Sequence, residues 1–239
     1  YKEFSNRAKH YLNVYCKVSK FMKPRHSDGS FQPAYSPDEY TAHICESNGW
    51  HYMWSVQHDI KGLEKLVGKK RFAEKLDSFF TYTPAANAEL PLFSTGMIGQ
   101  YAHGNEPSHH AAYIFNKIGQ PHKTQKYVRQ ILSELYNDTP AGLCGNEDCG
   151  QTSAWYVFSA LGFYPLNPVS CQYEVGSPLF RNATIHLENG NTFKIVTEGY
   201  SPEKYLVKEV LLNGKRLRGT DISHIDIMQG GTLTFVMQS

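Results

Sequence analysis

Apolar residues in the first 170 positions recur at intervals of three and four, which is the period of an amphipathic helix. One such face combines Ala8, Tyr11, Leu12, Tyr15 and Val18. Prolines and glycine interrupt the pattern between residues 21 and 40, and residues 81–104 are rich in loop-forming positions. The pattern predicts further helices over residues 49–67, 69–80, 107–118, 121–136 and 151–162.

Beyond Tyr164 the apolar residues alternate with polar ones, as they do in half-buried strands. The segment 183–198 alternates on both sides of Asn189-Gly190, a strong signal for a tight hairpin. Asn213-Gly214 repeats this signal, and residues 230–239 supply a last strand. Helices followed by strands predict an α+β fold, with a helical part at 1–170 and a small antiparallel sheet at 171–239.

Composition narrows the class of protein. The chain has 239 residues, of which 41% are hydrophobic and 19% charged, so it can bury a substantial core. A net charge of +2 with scattered basic residues argues against nucleic acid as a partner, and no apolar run is long enough to predict a membrane span. The opening residues resemble the interior of a helix rather than a signal peptide, so we expect a longer parent protein.

The five cysteines form no CxxC pair. Neither a zinc site nor a disulfide framework is indicated, and we expect mostly free, partly buried thiols. A bond between Cys144 and Cys149 across an acidic loop stays open as an alternative.

Three polar loops precede aromatic helices, and each carries a carboxylate and an asparagine: Glu46–Gly49, His103–Pro107 and Asn146–Asp148. Any one of them is equally well explained as a helix cap. Together they predict one rim of an array of helices, where Trp50 and Trp54 offer flat surfaces for sugar rings. The predicted substrate contacts are Trp50, His103 and Asn146.

Two carboxyl groups are the minimum that glycoside hydrolysis requires, one to protonate the departing oxygen and one to activate water. Glu46 follows Cys45 and precedes Trp50 and Met53, an apolar setting that favours its protonated form and predicts a general acid. Asp148 precedes a helix, whose N-terminal N–H groups favour the ionised form and predict a general base. We expect the two groups to face each other across about 6.5–9.5 Å, leaving room for water.

Asn105 and Glu106 place an amide oxygen beside a carboxylate, and hard oxygen ligands of this kind suit Ca²⁺ rather than Zn²⁺. Backbone carbonyls, waters and substrate hydroxyls would complete the coordination shell. His103, His109 and His110 suggest a transition-metal site less well, because their spacing is not that of HExxH.

Several long segments carry a resemblance to a known family. They are FMKPRHSDGSF at 21–31, ESNGWHYMW at 46–54, HGNEPSHHAAYIFN at 103–116, GNEDCGQTSAWYVFSALGFYP at 145–165 and GSPLF at 176–180. In these segments the chain resembles glycoside hydrolase family 92, the calcium-dependent exo-acting α-mannosidases of glycan-degrading bacteria.

The resemblance implies an inverting mechanism with Glu46 as acid and Asp148 as base, and calcium bound by Asn105 and Glu106. Many members of the family have an aspartate where this chain has Asn146, so any assistance to the base there comes from hydrogen bonding and not from a charge. The implied substrate is a mannose-containing glycan, and the implied location is the bacterial periplasm, the cell surface or the medium.

The resemblance also implies a fold, an (α/α)6 barrel behind an N-terminal β-sandwich. This chain corresponds to the second half of the barrel and the C-terminal strands, so its first partner is the missing N-terminal region. We therefore expect the chain alone to be nearly inactive and, through its uncovered helix faces, to self-associate. The alternative is a non-catalytic carbohydrate-binding or structural fragment. Cleavage by phosphate is disfavoured, because it needs no carboxylate base.

Overall fold

The computed structural model describes residues 1–83 and 90–238, which form two compact units, Tyr1–Ser108 and His109–Ser239. Part of the predicted loop between residues 81 and 104 lies outside the described residues. The predicted change from helices to strands near residue 170 falls inside the second unit.

The first unit is built from short helices and two small hairpins, and a 3-10 turn, Glu106–Ser108, ends it. In chain order its helices and strands are α1 (Lys2–Arg7), α2 (Tyr11–Val14), β1 (Tyr15–Cys16), β2 (Phe21–Met22), α3 (Gly49–Tyr52), α4 (Ile60–Val67), α5 (Lys69–Thr81), β3 (Met97–Ile98) and β4 (Tyr101–Ala102).

Two predicted helices of this unit are shorter in the structure. The first is divided into α1 and α2, and α2 ends at Val14 because Tyr15 and Cys16 are buried in an antiparallel pair with β2. The predicted helix 49–67 is two helices, and the side chain of Asp59 caps the second by accepting the N–H of Gly62 at 2.9 Å. The prediction for α5 is confirmed within one residue.

Aromatic side chains from α5 and its neighbours fill the core of the first unit. The rings of Trp54 and Phe72 meet edge to face at 5.3 Å, and those of Phe79 and Tyr101 at 5.9 Å. Trp54 is only 1% exposed. It is therefore a core residue, and its predicted use as a surface for sugar rings is wrong.

The helices of the second unit are α6 (Ile114–Lys117), α7 (Pro121–Glu134) and α8 (Gln151–Leu161). The predicted helix at 107–118 is not continuous, since Ala111–Tyr113 is a 3-10 helix and only Ile114–Lys117 is α-helical. Proline at the first position of α7 and left-handed Gly162 after α8 are the boundaries expected from their chemistry.

The strands that follow are β5 (Phe163–Tyr164), β6 (Gln172–Val175), β7 (Asn182–His186), β8 (Thr192–Glu198), β9 (Val207–Leu212), β10 (Lys215–Arg216), β11 (Asp221–Ser223) and β12 (Gly231–Met237). A 3-10 turn, Pro168–Ser170, precedes β6, and a short helix, α9 (His224–Met228), precedes β12. These strands form a three-stranded sheet, β11-β6-β5, and a five-stranded sheet, β10-β9-β12-β8-β7.

Both predicted hairpins are confirmed, since β7 pairs antiparallel with β8 around Asn189-Gly190 and β9 with β10 around Asn213-Gly214. The sheet is not wholly antiparallel as predicted. β12 lies between β9 and β8 and runs parallel to β8. It reaches this position after the chain has left the sheet through β11 and α9, a crossover that local alternation does not encode.

The helices and strands of the second unit share one core. Phe163, Phe193, Leu233 and Phe235 are buried together. Gly162 has φ 97°, and a Cβ atom there would approach the Phe235 ring to 2.8 Å. Only glycine fits between the end of α8 and this ring.

A buried polar cluster joins α6 to β6. Glu174 is buried, forms an ion pair with Lys117, and accepts hydrogen bonds from Asn116 Nδ2 and Thr220 Oγ1, each at 3.1 Å. Burial raises the pKa of the Glu174 carboxyl group, and the hydrogen bond and charge of Lys117 oppose that rise. A buried charge is tolerated here because it is paired and hydrogen-bonded.

We expect Phe235→Ala to destabilise the chain by about 3–5 kcal/mol, because the cavity is enclosed by fully buried neighbours. Urea unfolding measures the change. Thr234→Ala, in the same strand with its side chain on the other face, is the matched control and should cost less than about 1 kcal/mol. Equal losses would contradict the assignment of this core.

Candidate functional site

Glu46 occupies an exposed turn just ahead of α3. Its backbone is left-handed, with φ 48°, a conformation that costs a non-glycine residue energy. The residue is exposed, whereas Ser47 and Asn48 after it are buried. The apolar environment predicted around its carboxyl group is therefore absent from the part of the chain that the structure describes.

The buried side chain of Asn48 holds this turn through hydrogen bonds. Its Oδ1 accepts the N–H groups of Trp50 at 3.1 Å and His51 at 3.3 Å, and it lies 2.9 Å from His51 Nδ1. Its Nδ2 donates to Gln100 Oε1 at 3.3 Å. The predicted helix cap is thus present at this loop, and Asn48 provides it. Burial lowers the pKa of His51 to about 4, so this ring is neutral near pH 7.

Trp50 is packed in the interior of the first unit. Its Nε1 donates to Asp38 Oδ1 at 2.7 Å, and its ring stacks on Tyr82 at 5.4 Å. Lys75 Nζ lies 5.3 Å from the same ring, and burial lowers the pKa of this lysine to about 8. With 8% exposure, Trp50 offers little of the stacking surface that the sequence predicts.

The loop at residues 103–106 meets the turn of Glu46. Asn105 is buried, and its Nδ2 donates to the backbone carbonyl of Glu46 at 3.0 Å. His103 is also buried, with Nδ1 2.6 Å from the hydroxyl of Tyr101. The structure therefore brings together two of the three predicted polar loops, whereas His103 contacts the core.

Asn105 and Glu106 fit a calcium site in their chemistry. The amide nitrogen of Asn105 donates to the Glu46 carbonyl, so a cation would have to be held by the amide oxygen, and Glu106 adds a partly buried carboxylate. Among the described residues, no group of three histidine, cysteine, aspartate or glutamate side chains is arranged to hold a metal. Further oxygen ligands must therefore come from backbone, water or other segments.

Asp148 belongs to the second unit and also lies in a left-handed turn. Asp148, Cys149 and Gly150 have φ values of 46°, 59° and 86° and lead directly into α8. Asp148 is exposed, and its backbone carbonyl accepts the N–H of Gln151 at 3.2 Å. Asn146 is exposed as well, and the hydroxyl of Thr152 donates to its backbone carbonyl at 2.9 Å.

Glu147 has the role at the helix N-terminus that the sequence assigned to Asp148. Its carboxylate accepts the N–H of Ser153 at 3.0 Å and the hydroxyl of Ser153 at 2.5 Å. These bonds lower the pKa of Glu147. The sequence signal for this bond was Ser153 in the first turn of α8, which lies close enough along the chain to the Glu147 carboxylate to bind it.

The start of α8 is anchored to the core of the second unit. Trp155 Nε1 donates to the carbonyl of His109 at 2.9 Å, and Gln151 Nε2 lies 3.3 Å from the Tyr164 hydroxyl. His109 and His110 are buried. These contacts fix the helix that presents the Asp148 turn.

The sequence matches the glycosyl hydrolase family 92 catalytic domain over residues 1–239. A curated relative, an uncharacterized secreted glycosidase of Arthroderma benhamiae, is 29% identical over 196 residues, which cover 80% of this chain and 23% of that protein.

Solved structures give a similar result. A family GH92 α-mannosidase from Bacteroides thetaiotaomicron is 38% identical with a TM-score of 0.94, covering 100% of this chain and 32% of that one. The same enzyme has been solved in complex with mannoimidazole. A GH92 inverting mannosidase from that organism is 36% identical with a TM-score of 0.87, covering 100% of this chain and 34% of that one. The chain thus spans about a third of these enzymes.

One observation bears on the membrane: within residues 1–83 and 90–238, no helix combines the length and apolar character that crossing a bilayer requires.

We expect Glu147→Ala to lower the melting temperature of the chain at neutral pH. Because the folded-state pKa of Glu147 is lowered, its contribution is complete above the unfolded value near 4.5 and disappears as the pH falls through the folded value. Thermal unfolding of wild type and variant should therefore converge in acid. Ser153→Ala should act through the same bond, so the double variant should lose less than the sum; full additivity would contradict this pairing.

Proposed function

Because this chain belongs to glycosyl hydrolase family 92, we propose that it forms part of an enzyme that hydrolyses terminal α-mannosides from glycans. One observation carries the proposal. Among the described non-glycine residues with left-handed backbones, Glu46 and Asp148 are the two acids. Each stands in an exposed turn ahead of a helix. Strained residues of this kind cluster at active sites, where the fold holds a side chain for chemistry rather than packing.

The similar structures support the choice of substrate. Two of them are named as α-mannosidase and inverting mannosidase, and the first binds mannoimidazole. We extend these properties to the parent enzyme of this chain. The non-catalytic alternative is not favoured, because both candidate carboxylates are present and the similar structures are mannosidases.

In the proposed reaction, Glu46 donates its proton to the glycosidic oxygen while the bond from that oxygen to the anomeric carbon breaks. Asp148 removes a proton from a water molecule, whose oxygen forms the new bond from the opposite face of the sugar. Asn146 would orient this water by hydrogen bonding, because an amide cannot take up its proton. The product is mannose with inverted configuration at the anomeric carbon.

Asn105 and Glu106 would hold calcium through side-chain oxygens. When bound, calcium would supply positive charge that binds sugar hydroxyls and favours distortion of the ring. The protein's own contribution is to hold these oxygens beside the Glu46 turn through the bond from Asn105 Nδ2.

We propose further that the remaining walls of the substrate site, and the rest of an (α/α)6 barrel, come from an N-terminal region of the same enzyme. The exposed setting of Glu46 is consistent with this, since another segment would have to enclose its carboxyl group. We place the enzyme in a secreted, cell-surface or periplasmic location, in line with the curated relative named a secreted glycosidase.

In the parent enzyme, we expect Glu46→Gln and Asp148→Asn each to lower kcat on an alkyl α-mannoside by about 10²–10⁴-fold, because each removes a general acid or base. Steady-state assays measure the loss, and NMR of the first product shows the configuration. Glu134→Gln, an exposed residue of α7, is the control. Near-wild-type rates for either variant, or a retained configuration, would exclude the assigned mechanism.

We expect a chelator to abolish activity of the parent enzyme and calcium to restore it, because Asn105 and Glu106 offer hard oxygens. Glu106→Gln, which removes a charged ligand, should raise the calcium concentration needed for half-maximal activity. Calorimetric titration with CaCl2 gives the affinity directly. Activity that survives full chelation would argue against a calcium site here.

A further inference from the structure

We propose that Asn105 is a positioning residue for Glu46: its amide N–H holds the backbone of the Glu46 turn, while its amide oxygen would serve as the ligand for the cation. The inference rests on the proposed function, because it gives Glu46 the role of acid and Asn105 that of a calcium ligand. It adds that calcium binding and placement of the acid depend on one side chain.

The backbone of the Glu46 turn has to be held by a contact from another segment of the chain. Its backbone is left-handed, its side chain is exposed, and it lies outside any helix or strand. The carbonyl of Glu46 also accepts no hydrogen bond from the first N–H groups of α3. The N–H groups of Trp50 and His51 donate to Asn48 Oδ1 instead. That carbonyl receives the N–H of Asn105 at 3.0 Å, from a residue 59 positions later.

The segment that carries Asn105 holds the turn at a second point. Gln100 Oε1 accepts the Nδ2 of Asn48 at 3.3 Å, and both side chains are buried. The backbone N–H of Gln100 donates to Phe79 in α5 at 2.8 Å. Residues 100–105 therefore contact the turn on both sides of Ser47 and are themselves fixed to the core.

An asparagine amide can make both contacts at once, because its nitrogen is only a donor and its oxygen only an acceptor. One planar amide group would then contact both the Glu46 carbonyl, through its nitrogen, and the cation, through its oxygen. A cation bound to the oxygen would restrict rotation of this plane and so stiffen the Glu46 turn. A displacement of about 1 Å in a reacting group can cost about 10²-fold in rate.

Asn105→Asp separates the two roles. Aspartate keeps oxygen ligands for calcium, but it has no N–H for the Glu46 carbonyl. In the parent enzyme we expect calorimetry to show calcium affinity at least equal to wild type. We also expect kcat to fall by about 10²-fold on an alkyl mannoside, whose leaving group needs protonation, and much less on a dinitrophenyl mannoside, whose leaving group does not.

Two variants serve as references. Glu46→Gln should show the same dependence on the leaving group, because it removes the acid itself. Asn189→Asp removes an equivalent amide bond, from Nδ2 to the Met228 carbonyl at 2.8 Å, in a hairpin far along the chain. It should leave both substrates unaffected. An Asn105→Asp loss of equal size on both substrates, or no loss, would overturn the proposal.

A readout without catalysis completes the test. In the 239-residue chain, hydrogen exchange at residues 45–49 should be faster in Asn105→Asp than in wild type or Asn189→Asp. Unchanged exchange would overturn the positioning role. If Glu46→Gln itself lacks the dependence on the leaving group, the proposed function fails instead, and the exchange result still decides whether Asn105 holds the turn.

Discussion

An exposed acid in a strained turn needs hydrogen bonds from buried groups to fix its backbone. Much of the local structure around Glu46 and Asp148 follows from this constraint. A carboxylate in contact with solvent gains nothing from packing, so its backbone has to be fixed by buried polar groups. Asn48 does this in the first unit by bonding both to the start of α3 and to Gln100. Because both partners are buried, their bonds are shielded from water, and this stabilises the turn.

The second unit meets the same constraint with different residues. Thr152 bonds to the carbonyl of Asn146, Ser153 holds the carboxylate of Glu147, and Trp155 ties α8 to His109. All three donors lie in the first turns of α8, the part of a helix whose own N–H groups lack partners. The turn of Asp148 is thus fixed to the first turns of α8, while the Asp148 side chain itself is exposed.

Asn105 combines the cation site that we propose with a tertiary contact that the structure shows. Its position beside Glu106 is what indicates a cation site, since amide and carboxylate oxygens are adjacent in the chain. The bond from its nitrogen to Glu46 is a tertiary contact across 59 residues. Buried amides are well suited to such a function, because donor and acceptor lie on opposite branches of one planar group.

Local chemistry was enough to predict α5, α7, α8 and both Asn-Gly hairpins, since each depends on periodicity and boundary residues within a few positions. The three polar loops were also visible, because carboxylates and asparagines ahead of aromatic helices are unusual.

Contacts between distant segments decided the remainder. Pairing with β2 ends α2 at Val14, and a crossover sets β12 parallel to β8. Trp50 and Trp54 belong to the core. A residue's type states which bonds it can form, but only the folded chain determines which partners come within reach.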